Sequence, residues 1–450
     1  MSNDSQGTNL LGYIRLQPGL SRMNGRTILF ACLTGIPFLV VINFIQPIIL
    51  QAMLDIPTEQ QGSISGYLAV LHEIIMIALT GPAGALADRI GRRRVTTAGY
   101  LIAAVGLTIY PWATSVAGLI LIRCIYAVGA AALVSGFSVF LADYPQEKSR
   151  GKLVAIAGVL NGVGILLLTA ISGTLPKWLL TVGFDQTAAG RIAMAVIGLI
   201  GLISGVIIYF GFKGGDRGTH APNKQSLLKL LQLGFGAARN PRIRLAYASA
   251  FAARGDVVVI GTYVSLWGTQ AGIADGMNSA NALAKATIIF AIIQSAALLA
   301  APIIGFMNDR INRVTALIIG MGLAACGYIA FGFQESPLGT SAIAIAFLLG
   351  VGQISAILAG MTLIGQEADP KITGATIGVW NFCGAIGTML GSLLGGLLFD
   401  WWRPGAPFLL MGGLNLLVMA WAIYVRIREP QKETLQIMEM TSSNSAANTK

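Results

Sequence analysis

Twelve stretches of this chain are long and apolar enough to cross a lipid bilayer, and that feature fixes most of what the sequence can become. A spanning helix needs about 20 predominantly apolar residues. The candidate spans are 28–53, 62–86, 95–112, 115–141, 152–175, 191–212, 244–268, 283–307, 314–334, 340–366, 373–399 and 406–426. Inside hydrocarbon the backbone must satisfy its own N–H and C=O groups, so each stretch is read as a helix. Charge agrees: 11% of the residues are charged, whereas a soluble domain carries roughly 25%. So few charges cannot cover a water-facing surface, so much of this one faces a lipid bilayer.

Lys and Arg set the orientation. With the N-terminus inside, 24 of the 30 fall on inside segments, and Lys177, Arg191 and Arg403 fall outside. The remaining Arg123, Arg254 and Lys285 lie in or at the edge of spans. This asymmetry predicts that both termini are cytoplasmic. It also accounts for the net charge of +11 without any nucleic-acid partner. The segment 1–27 is too long and polar for a signal-peptide n-region, so the first span is retained. The longest inside loop, 213–243, carries Gly214, Gly215, Pro222 and Pro241 and divides the chain into bundles 28–212 and 244–426. Residues 227–235 within it are expected to form a short interfacial helix, and 427–450 is a cytoplasmic tail.

Several chemistries are excluded. Cys32, Cys124, Cys326 and Cys383 lie in apolar runs without CxxC spacing, so they read as small core residues and not as metal or redox groups. No Walker lysine motif, HExxH or GxSxG occurs, so neither an ATPase nor a hydrolase is expected. The chain is not expected to be an enzyme, nor to carry a cofactor or metal.

The two halves repeat. Gly84-Ala-Leu-Ala-Asp88-Arg89-Ile-Gly91-Arg92 follows the second span, and Gly305-Phe-Met-Asn-Asp309-Arg310-Ile-Asn312-Arg313 follows the eighth, 221 residues later. Asp143 after the fourth span has a counterpart in Glu367 after the tenth. Repeated six-helix units around a midplane site are a design of secondary transporters. The fold class is therefore all-α: a membrane protein of twelve transmembrane helices in two pseudo-symmetric six-helix bundles.

At these residues the chain resembles the major facilitator superfamily of transporters. The loop after the second span resembles that family's GxLaDRxGRR signature at Gly84, Leu86, Asp88, Arg89, Gly91, Arg92 and Arg93. The run from Arg123 through Tyr126, Ala127, Gly129, Ala130 and Ala131 resembles its RxxQGxGAA signature, with Tyr126 and Ala127 replacing Gln and Gly. Val163 stands where the family's antiporter signature has Gly-Pro, which weighs against drug/proton antiport. The resemblance implies a conformational latch made of Gly84, Asp88, Arg89, Gly91, Arg92, Asp143, Gly305, Asp309 and Arg310. In it Asp88 would cap the eleventh helix near Thr373–Ala375, and Arg92 would pair with Asp143.

A charge at the bilayer centre costs about 3 kcal/mol or more, so ionisable residues there face a cavity or a partner. His72 and Glu73 lie mid-span, Arg123 in the outer half of the fourth span, Arg254 and Asp256 mid-span around Gly255, and Lys285 near an outer end. Glu73 is the first choice for a proton carrier, with His72, Asp256 and Arg123 as further coupling candidates. Arg254 and Asp256 point about 200° apart on an ideal helix. Either Gly255 loosens the helix so that they pair, or each has its own partner. Lys285 is expected to snorkel outward.

The cavity candidates are Asn43, Gln46, Arg123, Tyr126, Arg254, Tyr263, Gln353 and Asn381. The resemblance places spans one, four, seven and ten around the path. The resulting reading is a monomeric, proton-coupled secondary transporter in the plasma membrane, the inner membrane of a bacterium. Its partners are the lipid bilayer, protons and a small-molecule substrate. Three midmembrane cations against two acids favour an organic anion. The competing readings are a proton-antiport efflux pump for drugs or amphipathic compounds and a non-transporting membrane receptor or assembly protein.

Overall fold

The computed structural model describes residues 8–214 and 227–428. Residues 1–7, the centre of the long loop and the tail beyond 428 lie outside the described residues. Twelve helices are long and apolar enough to span a membrane. They are α1 (Arg22–Ala52), α2 (Thr58–Ile90), α3 (Arg92–Ile109), α4 (Val116–Asp143), α5 (Glu147–Thr181), α6 (Gln186–Gly211), then α8 (Pro241–Ala274), α9 (Ser279–Arg310), α10 (Arg313–Gly332), α11 (Thr340–Glu367), α12 (Thr373–Trp401) and α13 (Ala406–Arg428). Between the two sets lies the short helix α7 (Leu227–Ala237), where the sequence predicts an interfacial helix.

Most helices outrun their apolar cores by several residues. Polar caps explain this, because a span ends for hydrophobic reasons and a helix ends where its free N–H and C=O groups find partners. Ser21 caps α1 in a reciprocal capping box with Asn24, and Asp185, Asn240, Asn278 and Asn312 cap α6, α8, α9 and α10. Pro47 lies inside α1 without ending it.

α1–α6 and α8–α13 each pack as a bundle, and the bundles meet chiefly where α2 packs on α12 and α5 on α9. One face of the molecule, the signature face, carries the Asp88 and Asp309 loops, α7 and the starts of α1 and α8. The opposite face carries the starts of α2, α4 and α6.

The segment before α1 has more structure than its polarity predicts. Strands β1 (Asn9–Leu10) and β2 (Ile14–Arg15) form a small hairpin. Leu10, Ile14, Leu16 and Leu20 are buried. Gln17 N–H donates to Tyr144 O at 2.9 Å and Gln146 N–H to Arg15 O at 2.9 Å. The segment thus closes the signature-face end of the first bundle over the α4–α5 turn.

Candidate functional site

α2 and α12 are pressed together near the opposite face and splayed near the signature face. Glycine contacts show this directly. A methyl built on Gly66 would meet Ser392 O at 2.6 Å, and one on Gly62 would meet Gly396 O at 2.8 Å. These are small-residue crossings of the kind that lets membrane helices touch backbone to backbone. Toward the signature face, Gly84 and Gly305 have no neighbour within 4 Å, and neither do Gly374 and Gly378. The Phe44 and Phe290 rings meet at a tilt with centres 4.8 Å apart, adding an aromatic contact between α1 and α9.

The splayed end holds a cavity of about 890 Å³ lined by Glu73, Met76, Ile77 and Thr80 of α2, by Lys371 and Ile372 just before α12, by Gly374, Gly378, Asn381 and Phe382 of α12, and by Leu230, Leu231 and Leu233 of α7. Gly234 sits against Ala375 and Val379, and Tyr247 Oη donates to Gly234 O at 2.7 Å. That contact pins α7 across the first turns of α12. The part played by α7 in walling the cavity has no signal in the sequence beyond its apolar run.

Arg254 of α8 is exposed, donates to Asn381 Oδ1 at 3.3 Å and lies 5.8 Å from the Trp380 ring centre. The Glu73 carboxyl, on the other bundle, is within electrostatic reach of both Arg254 and Arg123. Among the described residues no ion pair joins Glu73 to either. Arg123 is 1% exposed. Its Nη2 donates to Asn43, while Nε and Nη1 are buried without hydrogen-bond partners. His72 lies 5.6 Å from the Tyr126 ring, with Nδ1 likewise unpartnered.

Arg254 and Asp256 do not pair; each residue has its own partner. Asp256 is fully buried and accepts from Asn415 Nδ2 of α13 at 3.0 Å through both carboxylate oxygens. Gly255 does not unwind α8, so the two side chains keep their opposite directions. Asp256 therefore belongs to the core of the second bundle and not to the cavity. Three of the cavity candidates are held by the protein itself. Tyr126 Oη donates to Phe38 O at 3.1 Å and Tyr263 Oη to Ser392 O at 2.6 Å. Gln46 donates to Ser65 at 2.7 Å and accepts from Tyr110 at 3.2 Å. Gln353 is buried with Oε1 unpartnered, and Lys285 is exposed.

On the signature face Arg92 pairs with Asp143, and with Asp88 at 3.6 Å. Gly91 takes φ 102°, a turn only glycine makes without strain. Asp88 does not reach α12, whose cap residue Ile372 makes no side-chain cap bond. The second repeat keeps the contact within the turn, Asp309 with Arg313 at 3.4 Å, and changes the other, since Glu367 pairs with Arg242 at 3.0 Å. Arg310 lies over Phe306 at 3.9 Å. At the opposite face Asp400, at the end of α12, accepts from Gly62 N–H at 2.8 Å and Ser63 N–H at 2.6 Å. Only the position of Asp400 just past the eleventh apolar run marks it in the sequence.

Comparison with known proteins agrees with this architecture. The family profile described as Major Facilitator Superfamily matches residues 27–297 and 275–443. The magnetosome protein MamH of Paramagnetospirillum magneticum is 28% identical over 402 residues, 87% of this chain and 90% of that protein. A single-residue variant of the nucleoside transporter NupG superposes with a TM-score of 0.72 at 13% identity, over 89% of this chain and 99% of that one. A D-xylose–proton symporter superposes with a TM-score of 0.64 at 17% identity, over 89% of this chain and 96% of that one. At such identities the two structures speak for the fold alone.

Proposed function

Because the chain belongs to the Major Facilitator Superfamily and is a multi-pass membrane transporter, we propose that it is a proton-coupled secondary carrier of a small organic anion. It works as a monomer by alternating access, with bundles 28–212 and 244–426 rocking about a midplane site. Both termini are cytoplasmic in the inner membrane, so the cavity opens to the cytoplasm and this state is inward-open.

The observation that carries the reading is Glu73 lining the cavity from one bundle while Arg254 of the other donates to Asn381 of the same cavity wall. A guanidinium close to a carboxylate favours its charged form, and protonation of the carboxyl frees the guanidinium for another anion. Glu73 and an anionic substrate therefore compete for Arg254, and proton and substrate load together. The buried free Nε–H and Nη1–H of Arg123 offer an anion further charged donors. An unpaired buried guanidinium N–H costs about 1–3 kcal/mol, which a bound carboxylate recovers.

The test uses proteoliposomes, a trapped pH dye and a panel of mono- and dicarboxylates. Substrate entry should acidify the lumen in wild type. Glu73→Gln, permanently neutral, should lose proton-driven accumulation while keeping counterflow exchange. Full accumulation by this variant would sink the proton-carrier role, and lumenal alkalinisation by substrate entry would assign antiport.

A further inference from the structure

The geometry points to Asp400 as a gating residue, the counter-latch that holds the path shut at the face opposite the Asp88 loop. This rests on the alternating-access reading above.

α2 and α12 run antiparallel, and each ends in a carboxylate at the face where the other starts. α2 starts at the opposite face and ends in the Asp88 turn; α12 starts at the signature face and ends at Asp400. Only one of the two is engaged across the bundles in this state. Asp400 takes two successive backbone N–H groups of α2, at 2.8 and 2.6 Å. Asp88 keeps to its own turn, with a side chain 54% exposed and Arg92 at 3.6 Å. Carboxylate bonds to backbone N–H are charge-assisted and roughly twice as strong as neutral ones.

Gly62 is part of the device. A methyl there would stand 2.5 Å from Asp400 Oδ1, so any side chain at 62 would evict the carboxylate. Gln270 of α8 braces the same end of α2, donating to Thr58 O and to Gln61 Oε1 at 3.2 Å each. A helix of 33 residues is a lever about 50 Å long. Rocking α2 against α12 enough to seat Asp88 on the start of α12 pulls the far ends apart and breaks the Asp400 bonds. The two carboxylates therefore engage in alternation, and their difference sets the ratio of the two states.

The experiment measures that ratio. In protein with the four native cysteines replaced, spin labels at Val182 and Glu335 report separation across the opposite face, and labels at Lys148 and Arg428 report it across the signature face. All four residues are exposed. Asp400→Asn should shift the ratio at least about tenfold toward the state open at the opposite face, lengthening the first distance and shortening the second. Gly62→Ala should shift it the same way with Asp400 intact. Asp88→Asn should shift it oppositely, and Asp88→Asn with Asp400→Asn should return toward wild type. Two resolved states whose ratio ignores Asp400→Asn overturn the latch, and so does a shift by Gly62→Ala alone, which would assign the effect to packing. A wild type held in one distribution with and without proton gradients and carboxylates would refute alternating access itself, and the latch with it.

Discussion

The separation of Arg254 from Asp256 makes a quantitative prediction about coupling. Asp256 and Asn415 are both fully buried, and the amide nitrogen serves both carboxylate oxygens at 3.0 Å. Asp256→Ala deletes that bond and leaves the amide nitrogen with Met411 O alone, also at 3.0 Å. A buried hydrogen bond to such a group is worth about 1.5–3 kcal/mol when one partner is removed. Asn415→Ala should cost a similar amount, and the double variant much less than the sum, because the residue left unpaired is gone too. The coupling energy in that cycle should be about 1–2 kcal/mol. Arg254 donates to Asn381 of the cavity wall and shares no partner with Asp256, so the Arg254→Gln and Asp256→Ala effects should add within about 0.5 kcal/mol. SDS-titrated unfolding in mixed micelles, followed by tryptophan fluorescence, reads both cycles. A coupling above about 1 kcal/mol between Arg254 and Asp256 would refute the separation and restore an ion pair.

Two other outcomes are expected. Single cysteines at Pro57 and Leu338 should label with impermeant reagents from the periplasmic side in a background free of native cysteines, while cysteines at Lys148 and Arg428 should not; labelling of Lys148 from outside would reverse the orientation. Arg123→Gln should raise the KM for a carboxylate substrate in counterflow by about 10–100-fold, as loss of a charged hydrogen bond implies, and Arg123→Lys should restore part of it as a point charge without a fork; a KM within about twofold of wild type in Arg123→Gln would remove Arg123 from the substrate path.

The spans were legible because a bilayer imposes a constraint along the chain. Hydrocarbon thickness sets how many apolar residues must be contiguous, and the backbone has only one way to satisfy itself across that distance in a single helix. The constraint stops at the interface. Beyond it the chain ends helices by local chemistry, so the reach of α2 to Ile90 and of α5 to Thr181 follows capping and packing, not hydropathy. The hairpin before α1 escaped for the same reason: scattered apolar side chains in a polar run give no spanning signal, yet Leu10, Ile14, Leu16 and Leu20 are buried where the segment closes over the α4–α5 turn, while Leu11 and Tyr13 stay exposed.

The sequence offers residue types for a site but not their pairings, because pairing depends on azimuth around each helix. Arg254 and Asp256 stand two apart, and helical geometry already turned them from one another. The partner of Asp256 is Asn415, 159 residues away, which no spacing on α8 could have named. The resemblance assigns Asp88 a contact with the start of α12, and in this structure Asp88 meets Arg92 at 3.6 Å. Its glycines show the difference: Gly84 faces open space while Gly62 and Gly66 are jammed against α12. A motif that works in only one half of a cycle has a counterpart in the other half, and the counterpart need carry no motif at all. Two backbone N–H groups and a glycine impose no side-chain pattern, so only Asp400 is left to mark the contact in the sequence, and it lies at the edge of an apolar run where carboxylates are ordinary.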